Sequence, residues 1–418
     1  MRTRRFVAVA RLTFPSQALI RMAIRPHSVE RIIPEYSLTG DLLAFLKCGQ
    51  QYRLYNKAGL PPSIPVQQWF GEFIHGLMEE AFARWQSGEA PWNAGWPWRW
   101  EGQIRPIEEA VFRRLLSRGL RPPPRMLYAS YDNPTQEGRG IASLRAEVAL
   151  NTWGVHLFPL VAEAELRLMG SRELPPRAQL RAGRYSVTGI VDVLSSVQLH
   201  RAPASNVILH RLHGSPVIRA EMERNPSPFE IIVDYKGMRR PASGAGSSWI
   251  HQEWQLQTYA WLRHRQNPNS RVIAGVLLYL NELVPSATDL RDLRKDVSNG
   301  ATDIMPGQSD RAILFGEQET AEAEGEEMSV APTRGLSRLF LEDRSFRIVE
   351  ITSASLEESA ARFDSVVGDI ETAVQNEILQ GSTRTPWPAR PEVRTCTACD
   401  FKYHCPDAIG SGRNPQIP

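Results

Sequence analysis

The sequence predicts an α/β fold, and two kinds of segment predict it. Apolar runs of strand length occur at 185–193 (YSVTGIVDV), 229–237 (FEIIVDYKG) and 270–280, each continuous enough to be a strand buried on both faces. Helix-length segments with an apolar stripe at 3.6-residue spacing occur at 66–85, 248–265 and 355–379. Strands of that kind need helices to cover them, and the chain supplies helices before, between and after them.

The 418 residues allow two average domains or one enlarged one. The reading adopted is a basic arm over 1–35 and a single domain over 36–418, with insertions at about 86–150, 197–228 and 286–335. A composition of 42% hydrophobic and 23% charged residues excludes a disordered chain, and the absence of an apolar run long enough to span a bilayer argues against a membrane role. The net charge of +3 permits a polyanionic partner without demanding one. Of the four cysteines, Cys396, Cys399 and Cys405 lie within ten residues and Cys48 near the other end. That distribution suits one metal centre better than two disulfides and implies a reducing, cytoplasmic setting. Residues 1–29 hold six arginines and no acid, which reads as an unstructured tail, with a targeting peptide or polyanion-binding arm as the alternative.

Tyr36 begins the fold. Ser37 or Thr39 can cap a helix carrying Leu42, Leu43, Phe45 and Leu46, and Cys48 follows, with Gln51, Tyr52 and Arg53 after it. The helix from Val66 to Trp85 carries His75 inside its apolar stripe, with Gly71 four residues before it and Glu79 four after. A glycine there lets a backbone or ligand approach the imidazole, and a carboxylate one turn on can orient its second nitrogen. That spacing favours a ligand over a satisfied core histidine. Between 85 and 125, Trp92, Trp96, Trp98 and Trp100 read as anchors of a small subdomain. Arg99, Arg105, Arg113, Arg114, Arg118 and Arg121 fit a solvated face as well as a phosphate-tracking one.

Strands are expected over 157–169, with Glu163 and Glu165 alternating, and over 185–193, where Gly189 precedes Asp192. An unpaired buried carboxylate costs several kcal/mol, so Asp192 must meet a cation. Residues 197–228, with Pro, Ser and Asn clusters, read as an inserted hairpin or long loop. In FEIIVDYKG, Asp234 and Lys236 are two apart and therefore share a face. An acid and a cation aimed at one spot is what a metal-dependent phosphodiesterase needs, although a partly buried ion pair would look the same. The helix over 248–265 puts Gln255 and Tyr259 one turn apart, and Asn267, Pro268 and Asn269 stop it. Residues 286–335 read as a flexible insertion, 340–351 as a strand and 355–379 as a helix packed on the body.

The polar residues on apolar elements are thus, in chain order, His75, Asp192, Asp234, Lys236, Gln255 and Tyr259, with cysteines at both ends. That order resembles the PD-(D/E)XK nuclease superfamily, specifically its iron-sulfur RecB-like branch, which includes AddB-type repair nucleases and the RecB-like nucleases of CRISPR adaptation. The resemblance runs from about Tyr36 to Pro406. It rests on Gly71 with His75, Gly189 to Asp192, Asp234 with Lys236, Gln255 with Tyr259, and the four cysteines.

The resemblance implies a restriction-endonuclease-like core: a mixed central sheet flanked by helices, with an iron-sulfur staple joining the N- and C-terminal parts. It implies that His75, Asp192, Asp234 and the carbonyl of Tyr235 hold Mg²⁺ or Mn²⁺, and that Lys236 orients the attacking water and offsets charge on the phosphate. Gln255 and Tyr259 would position DNA and the lysine. Cys48, Cys396, Cys399 and Cys405 would hold a 4Fe-4S cluster; their spacing alone also suits zinc. Two features depart from the family: Gly49 stands where a proline often follows the first cysteine, and the gap between Asp192 and Asp234 is long. The activity implied is a metal-dependent deoxyribonuclease on single strands or DNA ends, with exonuclease and endonuclease modes both open, in repair, recombination or CRISPR adaptation, with a helicase or adaptation proteins as partners. No G-x4-G-K-[ST] phosphate loop is present, so any unwinding motor is another chain. The alternative is a catalytically silent DNA-binding or scaffolding subunit of a nuclease-helicase complex.

Overall fold

The structure is a computed structural model, and it describes residues 33–57, 60, 66–124, 126–127, 138–179, 181–225, 228–243, 249–316, 335–383, 386–403 and 405–410. Most of the basic arm, residues 1–32, lies outside the described residues.

The elements are β1 (Glu35–Ser37), α1 (Val66–Ser87), α2 (Arg105–Ser117), α3 (Ile141–Ala149), β2 (Val161–Glu173), β3 (Arg184–Val197), α4 (Val207–His213), α5 (Pro216–Arg224), β4 (Phe229–Lys236), α6 (Trp249–Gln266), β5 (Val272–Tyr279), α7 (Ala287–Ser298), α8 (Gln308–Phe315), α9 (Arg338–Ser345), β6 (Phe346–Glu350) and α10 (Ser353–Gln380), with short helical turns at Ala44–Lys47, Gly49–Tyr52 and Val393–Thr397. The strands form one mixed six-stranded sheet.

Alternation along β4 shows how the sheet is covered. Ile231, Val233 and Tyr235 face one core with α1, α2 and α3, while Ile232 faces another with α6 and α10. Burial on both faces explains the unbroken apolar run, and each such side chain contributes about 1.5–3 kcal/mol. β4 and β5 pair in parallel, connected by α6, as a β–helix–β crossover requires.

β3 is the hub. β2 runs antiparallel along one edge. On the other edge β1 pairs with Ser186–Thr188 and β4 pairs with Val193–Val197. Residues 189–192 lie between these two partners, so the sheet splits at Asp192.

Several expectations change. Between β3 and β4 the chain forms the paired helices α4 and α5 rather than a hairpin or long loop, because Asn206 and Ser215 cap their N-termini and Pro216 starts α5. The region after Ser286 begins with α7, capped by a Ser286–Asp289 capping box, and with α8; Leu293, Val297, Leu314 and Phe340 make a small core of their own. The acidic run within 317–334 lies outside the described residues. The segment 340–351 is helix to Ser345 and strand only from Phe346, since Ser337 caps a helix there. The tryptophans between 92 and 100 are anchors as expected: Trp98 and Trp100 are buried in the core around α1, with Trp92 and Trp96 packed against it. Arg113, Arg114 and Arg118 pair with Glu109, Glu79 and Glu72.

Candidate active site

The split in the sheet is where the polar residues meet. The last β3–β4 ladder pair before it is Val193↔Val233. One residue beyond on each strand, the side chains are Asp192 and Asp234. The Tyr235 N–H no longer meets a carbonyl of β3; it donates to Asp192 Oδ2 at 2.7 Å. Asp192 Oδ1 faces His75 Nδ1 at 3.3 Å. The cation that Asp192 needs is therefore the His75 imidazolium, delivered by α1. The Tyr235 ring packs edge-on against His75 with centroids 5.9 Å apart.

Asp234 is 2% exposed. Its Oδ1 accepts from Gln255 Nε2 at 3.0 Å. Its Oδ2 meets Lys236 Nζ at 2.5 Å as an ion pair but receives no hydrogen bond in good geometry. Gln255 bridges the group, accepting from Lys236 Nζ at 2.9 Å and donating to Tyr259 Oη at 2.9 Å. The one-turn spacing of Gln255 and Tyr259 on α6 thus aims both at β4. Gly189 lets Tyr259 lie there: a Cβ at 189 would stand 2.5 Å from Tyr259 Cε1. Gly237 lets β4 end against α1, since a Cβ there would stand 3.0 Å from Gly71 Cα.

His75, Asp192, Asp234, Lys236, Gln255, Tyr259 and Gly189 line a cavity of about 680 Å³, along with Gly71, Glu72, Glu165 and Arg167. Its electrostatics are those of crowded acids. Burial works to lower the His75 pKa, but Asp192 and Asp234 outweigh it and hold the imidazole up at about 9. Burial raises the Asp234 carboxyl above its ordinary value; Lys236 opposes this and Asp192 adds to it. Burial likewise raises Tyr259, which stays a neutral hydroxyl.

Two glutamates lie otherwise than the sequence predicts. Glu79 does not orient His75; its Oε2 takes Arg114 Nη2 at 3.1 Å instead, an arginine from α2 that reaches across. Glu165 was read only as part of an alternating strand. It adopts φ 52°, a left-handed conformation costing a non-glycine residue roughly 1–2 kcal/mol. The pairs Ala164↔Val193 and Leu166↔Val191 set it opposite Asp192. Partial burial, with the Asp192 and Glu79 carboxylates near, pushes Glu165 up to about 7. Alternation alone could not reveal a residue whose backbone leaves the strand conformation.

Residues 229–406 match the PD-(D/E)XK nuclease superfamily. The match takes in Asp234, Lys236, Gln255, Tyr259 and the three C-terminal cysteines, and stops short of His75, Asp192 and Cys48. A PD-(D/E)XK match supports a nuclease, that is, a hydrolase of phosphodiester bonds. No curated protein matches the chain. A solved structure described as "Crystal structure of SSO0001" is similar over 87% of this chain and 94% of that one, at 12% identity and a TM-score of 0.21. Among the described residues, no helix is long and apolar enough to cross a membrane.

The donor set fits a hard divalent cation: the Asp192 and Glu165 carboxylates and the His75 imidazole converge. None of the four cysteines forms a disulfide, and all are half-buried. The two ends that carry them dock. The Gly49 N–H donates to the Pro388 carbonyl at 2.9 Å, Tyr55 packs on Phe401 with centroids 5.1 Å apart, and Cys405 Sγ reaches Gln50 Oε1 at 3.4 Å. A side chain at 49 would strike Pro388 at 2.8 Å, which accounts for glycine after Cys48. Burial raises the Cys405 thiol; a hydrogen bond from the Asp407 backbone opposes this, and the Asp407 carboxylate, Cys48 and Cys399 add to the rise.

Proposed function

We propose that this chain is a divalent-metal-dependent deoxyribonuclease, cutting single-stranded DNA or DNA ends. The observation that carries the reading is the convergence, where β3 and β4 part, of His75, Asp192, Asp234 and Lys236 in one open cleft. His75, Asp192 and Asp234 would hold Mg²⁺ or Mn²⁺, with the Tyr235 carbonyl as a further oxygen. A divalent cation bound there supplies Lewis-acid polarisation of a phosphodiester and acidifies water. The chain's own part is preorganisation. The Asp192–Tyr235 hydrogen bond locks the first acid to the strand bearing the second. Lys236 Nζ, aimed by Gln255, offsets phosphate charge and orients the attacking water, and Gln255 in turn leans on Tyr259.

DNA is chosen as substrate on the resemblance to DNA-processing nucleases of the iron-sulfur RecB-like branch. In the same reading Cys48, Cys396, Cys399 and Cys405 hold a structural 4Fe-4S cluster, and the docking of the two cysteine-bearing ends supports it. A cluster there would close a very long loop, which stabilises the fold by restricting the unfolded chain. Repair, recombination or CRISPR adaptation are the settings in which such an activity serves.

The experiment is turnover of labelled single-stranded DNA, duplex DNA with blunt ends and single-stranded RNA by the purified full chain, with Mg²⁺, Mn²⁺ or a chelator. Metal-dependent degradation of the DNA substrates supports the proposal. Binding without turnover in either metal would return the chain to the scaffolding alternative.

A further inference from the structure

We infer that Glu165 is a further carboxylate ligand for the divalent cation of this cleft, standing with His75 and Asp192 on the side of Asp192 away from Lys236. The inference deepens, and rests on, the metal-dependent reading above.

Three observations lead to it. One donor atom from each of His75, Glu165 and Asp192 lies within 4.8 Å of the others, the sole group of three or more metal-ligating side chains so gathered among the described residues. Donor atoms gathered this closely can be brought onto one divalent cation by rotation of the Glu165 side chain. The register of β2 against β3 sets Glu165 across from Asp192, and its left-handed backbone departs from the strand conformation there. Finally, the neighbouring rim acids are engaged elsewhere: Glu72 pairs with Arg118 at 3.0 Å and Glu79 with Arg114 at 3.1 Å. Glu165 lines the cavity and has no hydrogen-bond or ion-pair partner among the described residues.

Asp234, by contrast, is engaged by Lys236 and Gln255. The ligand set the geometry points to is therefore asymmetric, with His75 and Glu165 flanking Asp192 on one side and Asp234 completing it from the other.

The test is Mn²⁺ binding to the full chain, measured by titration calorimetry and by the electron paramagnetic resonance signal of free Mn²⁺, alongside thermal melting without metal. Glu165→Gln removes the charge and keeps the shape; Glu165→Gly removes the side chain and accepts the left-handed backbone. Glu163→Gln is the control on the same strand, and Asp192→Asn tests the site itself. The expected result is a loss of Mn²⁺ affinity of about tenfold or more in both Glu165 variants, no change in Glu163→Gln, and a melting temperature in Glu165→Gly equal to or above wild type. If both Glu165 variants bind Mn²⁺ like wild type while Asp192→Asn does not, the inference is overturned and the nuclease reading stands. If Asp192→Asn also binds like wild type, both fall.

Discussion

The Tyr235 N–H donates to Asp192 Oδ2 at 2.7 Å, so the carboxylate of one strand occupies the place a ladder carbonyl would take in the next. The two acids of the cleft are thereby held together by backbone rather than by chance proximity. The same bond marks where the sheet splits and leaves Asp192 Oδ1 free to face His75. The site is a consequence of the strand divergence, and its chemistry can be probed residue by residue.

Gln255 touches Asp234, Lys236 and Tyr259. Gln255→Ala strands a buried carboxylate oxygen, a change of roughly 1–3 kcal/mol, and frees the lysine. The expected outcome is a fall in cleavage rate of about 10- to 100-fold with a modest loss in urea stability. An unchanged rate would show that Lys236 needs no positioning.

Gly189→Ala places a methyl 2.5 Å from Tyr259 Cε1. The ring must move, and overpacking of this kind costs about 1–3 kcal/mol. The urea midpoint should fall, and the cost of Gly189→Ala should be smaller when it is made in a Tyr259→Ala background, where there is no ring to displace.

Metal binding should strengthen as pH rises. His75 is held at about 9, against an ordinary value near 6.5. Its ion pair with Asp192 therefore stabilises the metal-free protein fully below about 6.5 and fades as pH climbs through 9. A cation needs the neutral imidazole, so each bound Mn²⁺ displaces that proton over this window. Mn²⁺ affinity measured between pH 6 and 9 should rise, and the rise should be shallower in His75→Gln.

For the cysteines, protein purified without oxygen should carry iron and sulfide at about four per chain and a broad visible band. Cys48→Ser should lose the band and melt at a lower temperature, because the N-terminal end is released from the C-terminal one. Colourless protein with one zinc would replace the cluster with a zinc staple.

Much of this was legible in the sequence because buried strands leave little room for charge. Asp192, Asp234 and Lys236 stood out as polar atoms on runs of Val, Ile and Tyr, and the one-turn spacing of Gln255 and Tyr259 survived into the structure unchanged. His75 was visible as an imidazole inside an apolar stripe, whereas its true partner was not, because Asp192 is 117 residues away and Glu79 only four. Glu165 was hidden by a positive φ that no residue type announces. The helices α4 and α5 were hidden by capping residues, Asn206 and Ser215, whose chemistry reads equally well as loop.

The most direct test pairs Asp192→Asn with Lys236→Ala in a metal-dependent cleavage assay on single-stranded DNA, with circular dichroism to confirm the fold. The account requires folded variants that each lose about 100-fold or more in rate. Cleavage at wild-type rate by both would contradict it.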